Sequence, residues 1–185
     1  MLEDVYQEVE HKMERSLEAL RKELSRIRTG RASLTLLDGI TVDYYGTQTP
    51  LNQLATLAVP ESRLITIQPW DKSQIGSIEK EILRSDLGLT PTNDGTVIRL
   101  TIPPLTADRR KDLVKQVKRV GEETKIALRN VRRDGNDTLK SMEKEKIVSE
   151  DDWRRGQEQV QKITDRYIAT TDEILQSKEH EVMEV

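Results

Sequence analysis

Cysteine is absent from this 185-residue chain, and so is phenylalanine. Without cysteine there is no disulfide, no thiol nucleophile and no cysteine-based zinc site. Its absence also fits a reducing compartment. Aromatic residues make up 3% of the chain and charged residues 34%, a composition of exposed helices more than of a thick globular core. Histidine occurs twice, at His11 and His180, each in a charged terminal segment that reads as surface. Neither of the glycine-rich phosphate loops, GxxxxGKS/T or GxGxxG, occurs. Gly30-Arg31-Ala32-Ser33 lacks the lysine and the preceding strand that such a loop needs. No nucleophile–base pair stands out, so no enzyme, cofactor or metal is expected. Glu150-Asp151-Asp152 could hold a hard cation, but a helix cap explains it better. No apolar run approaches the ~18 residues a membrane span needs. The acidic start, Met1-Leu2-Glu3-Asp4-Val5, is unlike a secretory signal. A soluble, cytoplasmic protein that does not engage membranes is expected.

What the chain has is long amphipathic helices. Apolar residues at Leu2, Tyr6, Val9, Met13, Leu17, Leu20, Leu24 and Ile27 repeat in steps of four and three, which predicts one helix over residues 2–28. A second long helix starts after Pro103-Pro104 with Thr106 as its cap. Its predicted seam runs Leu113, Val117, Val120, Thr124, Ala127, Val131, Gly135, Thr138, Met142. A third begins at Ser149-Glu150-Asp151-Asp152, with a seam of Trp153, Gly156, Val160, Ile163, Tyr167, Thr170 and Ile174. Such helices are stable only when packed together, which predicts a three-helix bundle.

Between the first two helices the pattern changes. Ile40–Tyr45, Arg63–Gln68 and Thr96–Ile102 alternate like strands. Asn93-Asp94-Gly95 has the residues of a tight turn and predicts a hairpin with the stretch near Leu89. Ser73 is placed to cap a short helix bearing Ile75, Ile78 and Ile82, closed by Gly88. The expected fold is α+β: a three-helix bundle at residues 1–29 and 105–185, with a small α/β domain inserted at 31–103. The crossings at 29–31 and 103–104 make a two-strand hinge.

The bundle's second helix carries the most telling pattern. From Ala107 to Lys146 there are thirteen Lys/Arg and eight Asp/Glu, a local balance of +5 in a chain of -3, which leaves -8 elsewhere. At about 100° per residue, Lys111, Lys115, Lys118, Lys125, Arg132, Arg133 and Lys140 all fall within about 60° of Arg129. Arg110 lies at about -100°, on the Arg132 edge. A line of positive charge on a rod suits a polyanion. The arginines of Arg129-Asn130-Val131-Arg132-Arg133 offer planar forks that match phosphate. Trp70, Tyr44 and Tyr45 could stack on bases, but Tyr44 and Tyr45 should face opposite sides of a strand.

Several strings are more specific. Ile27-Arg28-Thr29-Gly30-Arg31-Ala32-Ser33, Leu37-Asp38-Gly39-Ile40, Tyr44-Tyr45-Gly46 and Ser85-Asp86-Leu87-Gly88-Leu89 occur in order. Pro103-Pro104-Leu105-Thr106, Arg109-Arg110-Lys111-Asp112-Leu113, Arg129–Asp134 and Ser149–Asp152 follow. Over its whole length the chain resembles the bacterial ribosome recycling factors. That resemblance implies an L-shaped, transfer-RNA-like molecule whose bundle binds the large ribosomal subunit against ribosomal RNA. It implies that elongation factor G, which hydrolyses GTP, acts with it to split the post-termination ribosome and release messenger RNA. The family's ribosome-binding arginines fall on Arg110, Arg129 and Arg132, with Arg133 beside them; Lys111 and Lys118 join them from the stripe. Its hinge falls on Thr29, Gly30, Arg31, Pro103 and Pro104. A monomer is expected, because the three seams satisfy one another. Judged without the resemblance, a coiled-coil scaffold gripping a protein partner is the alternative; it predicts binding indifferent to salt and to those arginines.

Overall fold

In the computed structural model, which describes residues 1–184, the chain forms two compact units. Met1–Thr29 and Thr106–Val185 make one, and Gly30–Leu105 the other. Leu105 thus belongs with the insertion, where the sequence reading puts it with the bundle. Its side chain lies over Gly30, whose φ of +77 L residues rarely adopt, and an added Cβ would stand in tight contact, 3.1 Å from Leu105 Cγ.

The bundle follows from three apolar seams. Helix α1 (Leu2–Ser25) buries Val9, Met13, Leu17, Leu20 and Leu24, with Glu3 and Asp4 favourably placed in its first turn. It stops short of the predicted residue 28. Arg26 N–H bonds Glu23 O and Ile27 N–H bonds Leu24 O, tightening the end into i→i+3 bonds. Helix α3 (Ala107–Lys144) is capped by Thr106, whose Oγ1 accepts from Arg109 N–H at 3.1 Å. Helix α4 (Glu150–Met183) is capped by Ser149, whose Oγ accepts from Asp152 N–H at 3.1 Å. The acids at Glu150–Asp152 are therefore a first-turn complement to the helix dipole.

Both long seams drift from the predicted ones. On α3 the buried residues after Thr124 are Leu128, Gly135 and Leu139, not Ala127, Thr138 and Met142. On α4 they are Thr171 and Leu175, not Thr170 and Ile174. A strict 4-3 pattern repeats every 3.5 residues, whereas a straight helix turns once per ~3.6, so the buried line slips C-terminally along the rod. The buried threonines return their hydroxyls to the backbone: Thr124 to Val120 O, Thr164 to Val160 O and Thr171 to Tyr167 O. Val9 and Met13 pack with Leu128, Leu139, Val160 and Ile163. Leu17, Leu20 and Leu24 pack with Val117, Val120 and Leu175. Each of these large side chains contributes ~1.5–3 kcal/mol by leaving water.

The end of α3 is a Schellman motif. Lys146 N–H bonds Glu143 O at 3.0 Å and Ile147 N–H bonds Met142 O at 2.9 Å. Lys146 holds the left-handed position at φ 58, which glycine occupies without penalty. Lys146→Gly should raise stability by about 0.5–1 kcal/mol and the unfolding midpoint by a few degrees, read by circular dichroism.

In the inserted unit, β1 (Thr41–Tyr44) and β2 (Thr47–Pro50) form a hairpin. Then β3 (Ala55–Glu61), β4 (Leu64–Pro69), α2 (Ile75–Arg84), β5 (Thr92–Asn93) and β6 (Ile98–Thr101) follow. The second sheet is antiparallel throughout, in the order β3-β4-β6-β5. Ile65 and Ile67 of β4, Ile98 and Leu100 of β6, and Ile78 and Ile82 of α2 make its core with Val42. Asp71, not Ser73, opens the short helical segment: its carboxylate accepts from Ser73 N–H and Oγ–H, and Ser73 caps nothing. The partner of β6 is Thr92–Asn93 instead of the stretch near Leu89.

Asp94 ties the β5–β6 turn. Its carboxylate accepts from Val97 N–H, Thr96 N–H and Arg99, and these bonds, Val97 first, hold its pKa down to about 2. A depressed carboxyl stabilises the fold above its unfolded pKa near ~4, and that contribution is lost as pH falls towards 2. An NMR titration of the Asp94 carboxyl should find its midpoint near 2; a midpoint near ~4 would mean that the turn does not grip it.

Candidate nucleic-acid interface

The basic stripe of α3 survives folding with two changes. Lys111, Lys115, Lys118, Arg129, Arg133 and Lys140 are exposed, and Arg132 is half-buried at the border of the seam. From Lys111 to Lys140 the line runs roughly 44 Å at ~1.5 Å per residue. Lys125 leaves it: its side chain is 19% exposed and its Nζ lies 2.6 Å from Asp172 of α4 and 4.0 Å from Glu122. The sequence could not show that partner, which comes from another helix. Arg110 is also different from expectation. At about -100° it stands among the buried positions, centred near about -120°. Its Nε is buried with no hydrogen-bond partner. Its stem belongs to the seam, and only the exposed remainder of the guanidinium can meet a ligand.

The remaining cations are unspent. Among the described residues, Arg129, Arg132 and Arg133 take part in no ion pair, although Asp134 and Asp137 lie on the same helix. The arginines of α4, by contrast, are matched: Arg154 with Glu150 at 2.8 Å, Arg155 with Asp152 at 2.7 Å, Arg166 with Glu10 at 3.2 Å. A rigid helix of 38 residues holds the three arginines in fixed order. Free guanidinium forks on such a rod can each take a phosphate in bidentate fashion.

At the first crossing, Thr29 is buried and its Oγ1 donates to Glu181 Oε1 at 2.9 Å, while Lys178 lies 3.6 Å from the same carboxylate. Thr29 thus anchors one side of the crossing in the bundle, and Gly30 begins the other unit. Pro103 and Pro104 are exposed.

The aromatic candidates separate. Trp70 is 66% exposed, its Nε1 donating to Thr56 Oγ1 at 2.9 Å. Tyr44 and Tyr45 do not face opposite sides of a strand. Tyr45 and Gly46 form the two-residue hairpin loop, with φ of 50 and 88. Tyr45 is therefore 80% exposed, and its ring meets that of Tyr44 edge-on at 4.6 Å. His11 and His180 are exposed, and no group of three or more His, Asp or Glu converges among the described residues.

Fold and surface together define a two-unit helical-bundle protein that presents an unmatched cationic helix face. The ribosome recycling factor profile matches residues 20–183. Curated ribosome-recycling factors are similar over the full length of both chains. That of Desulfatibacillum aliphaticivorans is 59% identical over 184 residues, and that of Carboxydothermus hydrogenoformans 54% over 185. A solution structure of ribosome recycling factor aligns at TM-score 0.73 and 42% identity, covering 100% of this chain and 98% of that one. The Thermus thermophilus factor, placed with Escherichia coli elongation factor G on a post-termination complex, aligns at TM-score 0.63 and 45% identity, covering 99% of each chain. The chain belongs to the ribosome recycling factor family.

Proposed function

We propose that this chain recycles ribosomes after termination. It binds the large subunit through ribosomal RNA, using Arg129, Arg132 and Arg133 with Lys111 and Lys118, and the exposed part of Arg110. With elongation factor G and GTP it splits the post-termination complex and frees messenger RNA. The factor is a lever and no enzyme; the nucleotide is hydrolysed by its partner. It works as a cytoplasmic monomer without a cofactor.

The observation that carries this reading is the set of three closely spaced arginines on one face of a rigid helix, none of them in an ion pair among the described residues. A cation left unmatched gains from phosphate what it has not gained from the fold. The relative placed beside elongation factor G on a post-termination complex supports the choice of partner. The two crossings, Thr29-Gly30-Arg31 and Pro103-Pro104, serve as the hinge. Light scattering of post-termination ribosomes tests the whole: the chain, elongation factor G and GTP together should lower the signal as subunits part. No change with all three present would defeat the proposal. NMR residual dipolar couplings test the hinge, which requires separate alignment tensors for the two units.

A further inference from the structure

The bundle has a second cationic surface, away from the stripe. Where the end of α1 lies against the start of α3, Arg26 and Arg28 face Arg109 and Arg119 across an open groove of about 350 Å³. Its floor is apolar, with Ile27 from the turn that follows α1 and Leu113 from α3. On α3 the groove residue Arg109 falls at about 160° from Arg129 and faces away from the stripe, while Arg119, at about 80°, borders it. Arg109 is also twenty residues, or roughly 30 Å, from Arg129 along the helix. Arg28 and Arg109 thus lie on a different face from Arg129, Arg132 and Arg133.

Four arginines with one acid among them is an unusual concentration in a chain of net charge -3. That acid, Glu23, sits 3.9 Å from Arg26, and Arg119 pairs with Glu123 at 3.0 Å. Arg28 and Arg109 are exposed and, among the described residues, have no ion pair. Arg109 stands in the first turn of α3, where a cation opposes the helix dipole. Such a placement weakens the helix and is offset when an anion arrives. All four cations are arginine, the side chain whose fork fits phosphate best. The apolar floor suits the sugar edge between phosphates, and the volume lies at the low end for sites of small-ligand size, ~300–1,000 Å³.

We infer that this groove is a second RNA site, which takes a short stretch of phosphodiester backbone distinct from the one on the stripe. The bundle then holds two RNA segments on two faces and acts as a strut between them. This rests on the proposed ribosomal function.

The test uses the full-length chain with purified large ribosomal subunits. Wild type, Arg28→Gln/Arg109→Gln and Arg129→Ala/Arg132→Ala/Arg133→Ala are compared by co-sedimentation over a salt series and by hydroxyl-radical footprinting of the RNA. The groove variant should bind roughly tenfold weaker or less tightly still. Its log–log salt slope should fall by about two. It should lose protection of an RNA segment that the stripe variant keeps. Arg28→Lys/Arg109→Lys controls for folding and should keep most of the slope while losing affinity. If the groove variant binds and protects like wild type while the stripe variant fails, the groove is no RNA site and the proposed function stands. If it loses the same segment as the stripe variant, there is one surface, and the inference is overturned. If it loses cross-links to a ribosomal protein but keeps its RNA protection, the groove takes an acidic protein, and the inference is again overturned. If neither variant changes binding, the ribosomal RNA reading fails and takes this site with it.

Discussion

Replacing Arg129, Arg132 and Arg133 by alanine is expected to abolish tight binding to large ribosomal subunits and to lower the log–log salt slope by about three. The expectation rests on geometry as well as count. Arg129 and Arg133 are exposed and Arg132 is half-buried at the seam's border, so truncation removes charge with little loss of packing. None of the three has an internal acid to leave behind, and stability should change by less than ~1 kcal/mol. Each lost charge-assisted bond to phosphate weakens binding by ~1.5–3 kcal/mol, which over three arginines amounts to a drop of a thousandfold or more. Lys125→Ala is the informative contrast. Its ammonium lies 2.6 Å from Asp172, so it is already neutralised and should leave the salt slope nearly unchanged. Co-sedimentation at four or five salt concentrations decides the matter. Binding by the triple variant with an unaltered slope would return the stripe to a solvated face and favour a protein-gripping scaffold.

The contrast between Lys125 and its neighbours shows what periodicity can and cannot reveal. Angular position along α3 is a property of one helix, so the stripe is legible from spacing. The acid that quenches Lys125 comes from α4, and its approach depends on how two helices pack. Arg110 departs from expectation for a related reason. Its angle follows from spacing, but a strict heptad misplaces the centre of the buried face, and the true seam slips along a straight helix until Leu128 and Leu139 replace Ala127 and Thr138. In the inserted unit, Arg63–Gln68 alternates cleanly because β4 lies inside the sheet with Ile65 and Ile67 fully buried. The strand β3 lies at the sheet edge, where Pro60 is tolerated and few side chains are buried, so its sequence carries little signal. The sequence reading carries the strand through Tyr45 because a tyrosine rarely takes the positive φ of a two-residue hairpin loop, a position that Asn or Asp usually fills. The caps at Thr106 and Ser149, by contrast, depend on one side chain and the next three amides, and both are readable from sequence.

Gly135→Ala and Gly76→Ala should change stability in opposite directions, although each removes a glycine from a helix. In isolation, alanine gains ~1 kcal/mol over glycine in a helix interior. At Gly76, in the first turn of α2, an added methyl meets nothing within 4 Å, so a gain of about 0.4–1 kcal/mol should appear as a higher urea midpoint. At Gly135, in the middle of α3, the new Cβ would stand 2.7 Å from Val9 Cγ2 of α1, with Val160 of α4 at 3.7 Å. Val9 is 2% exposed and Val160 wholly buried. A β-branched side chain has few rotamers with which to yield. The helices must part locally, and overpacking of this kind costs ~1–3 kcal/mol, more than the propensity gain returns. The net loss should be about 1–2 kcal/mol. The cause can be isolated by a cycle with Val9→Ala, which creates the room that the added methyl needs. The double variant should then be more stable than the two single losses added together, by at least ~1 kcal/mol. Additive losses would mean that the close approach of α1 and α3 at Gly135 is not what makes glycine necessary there.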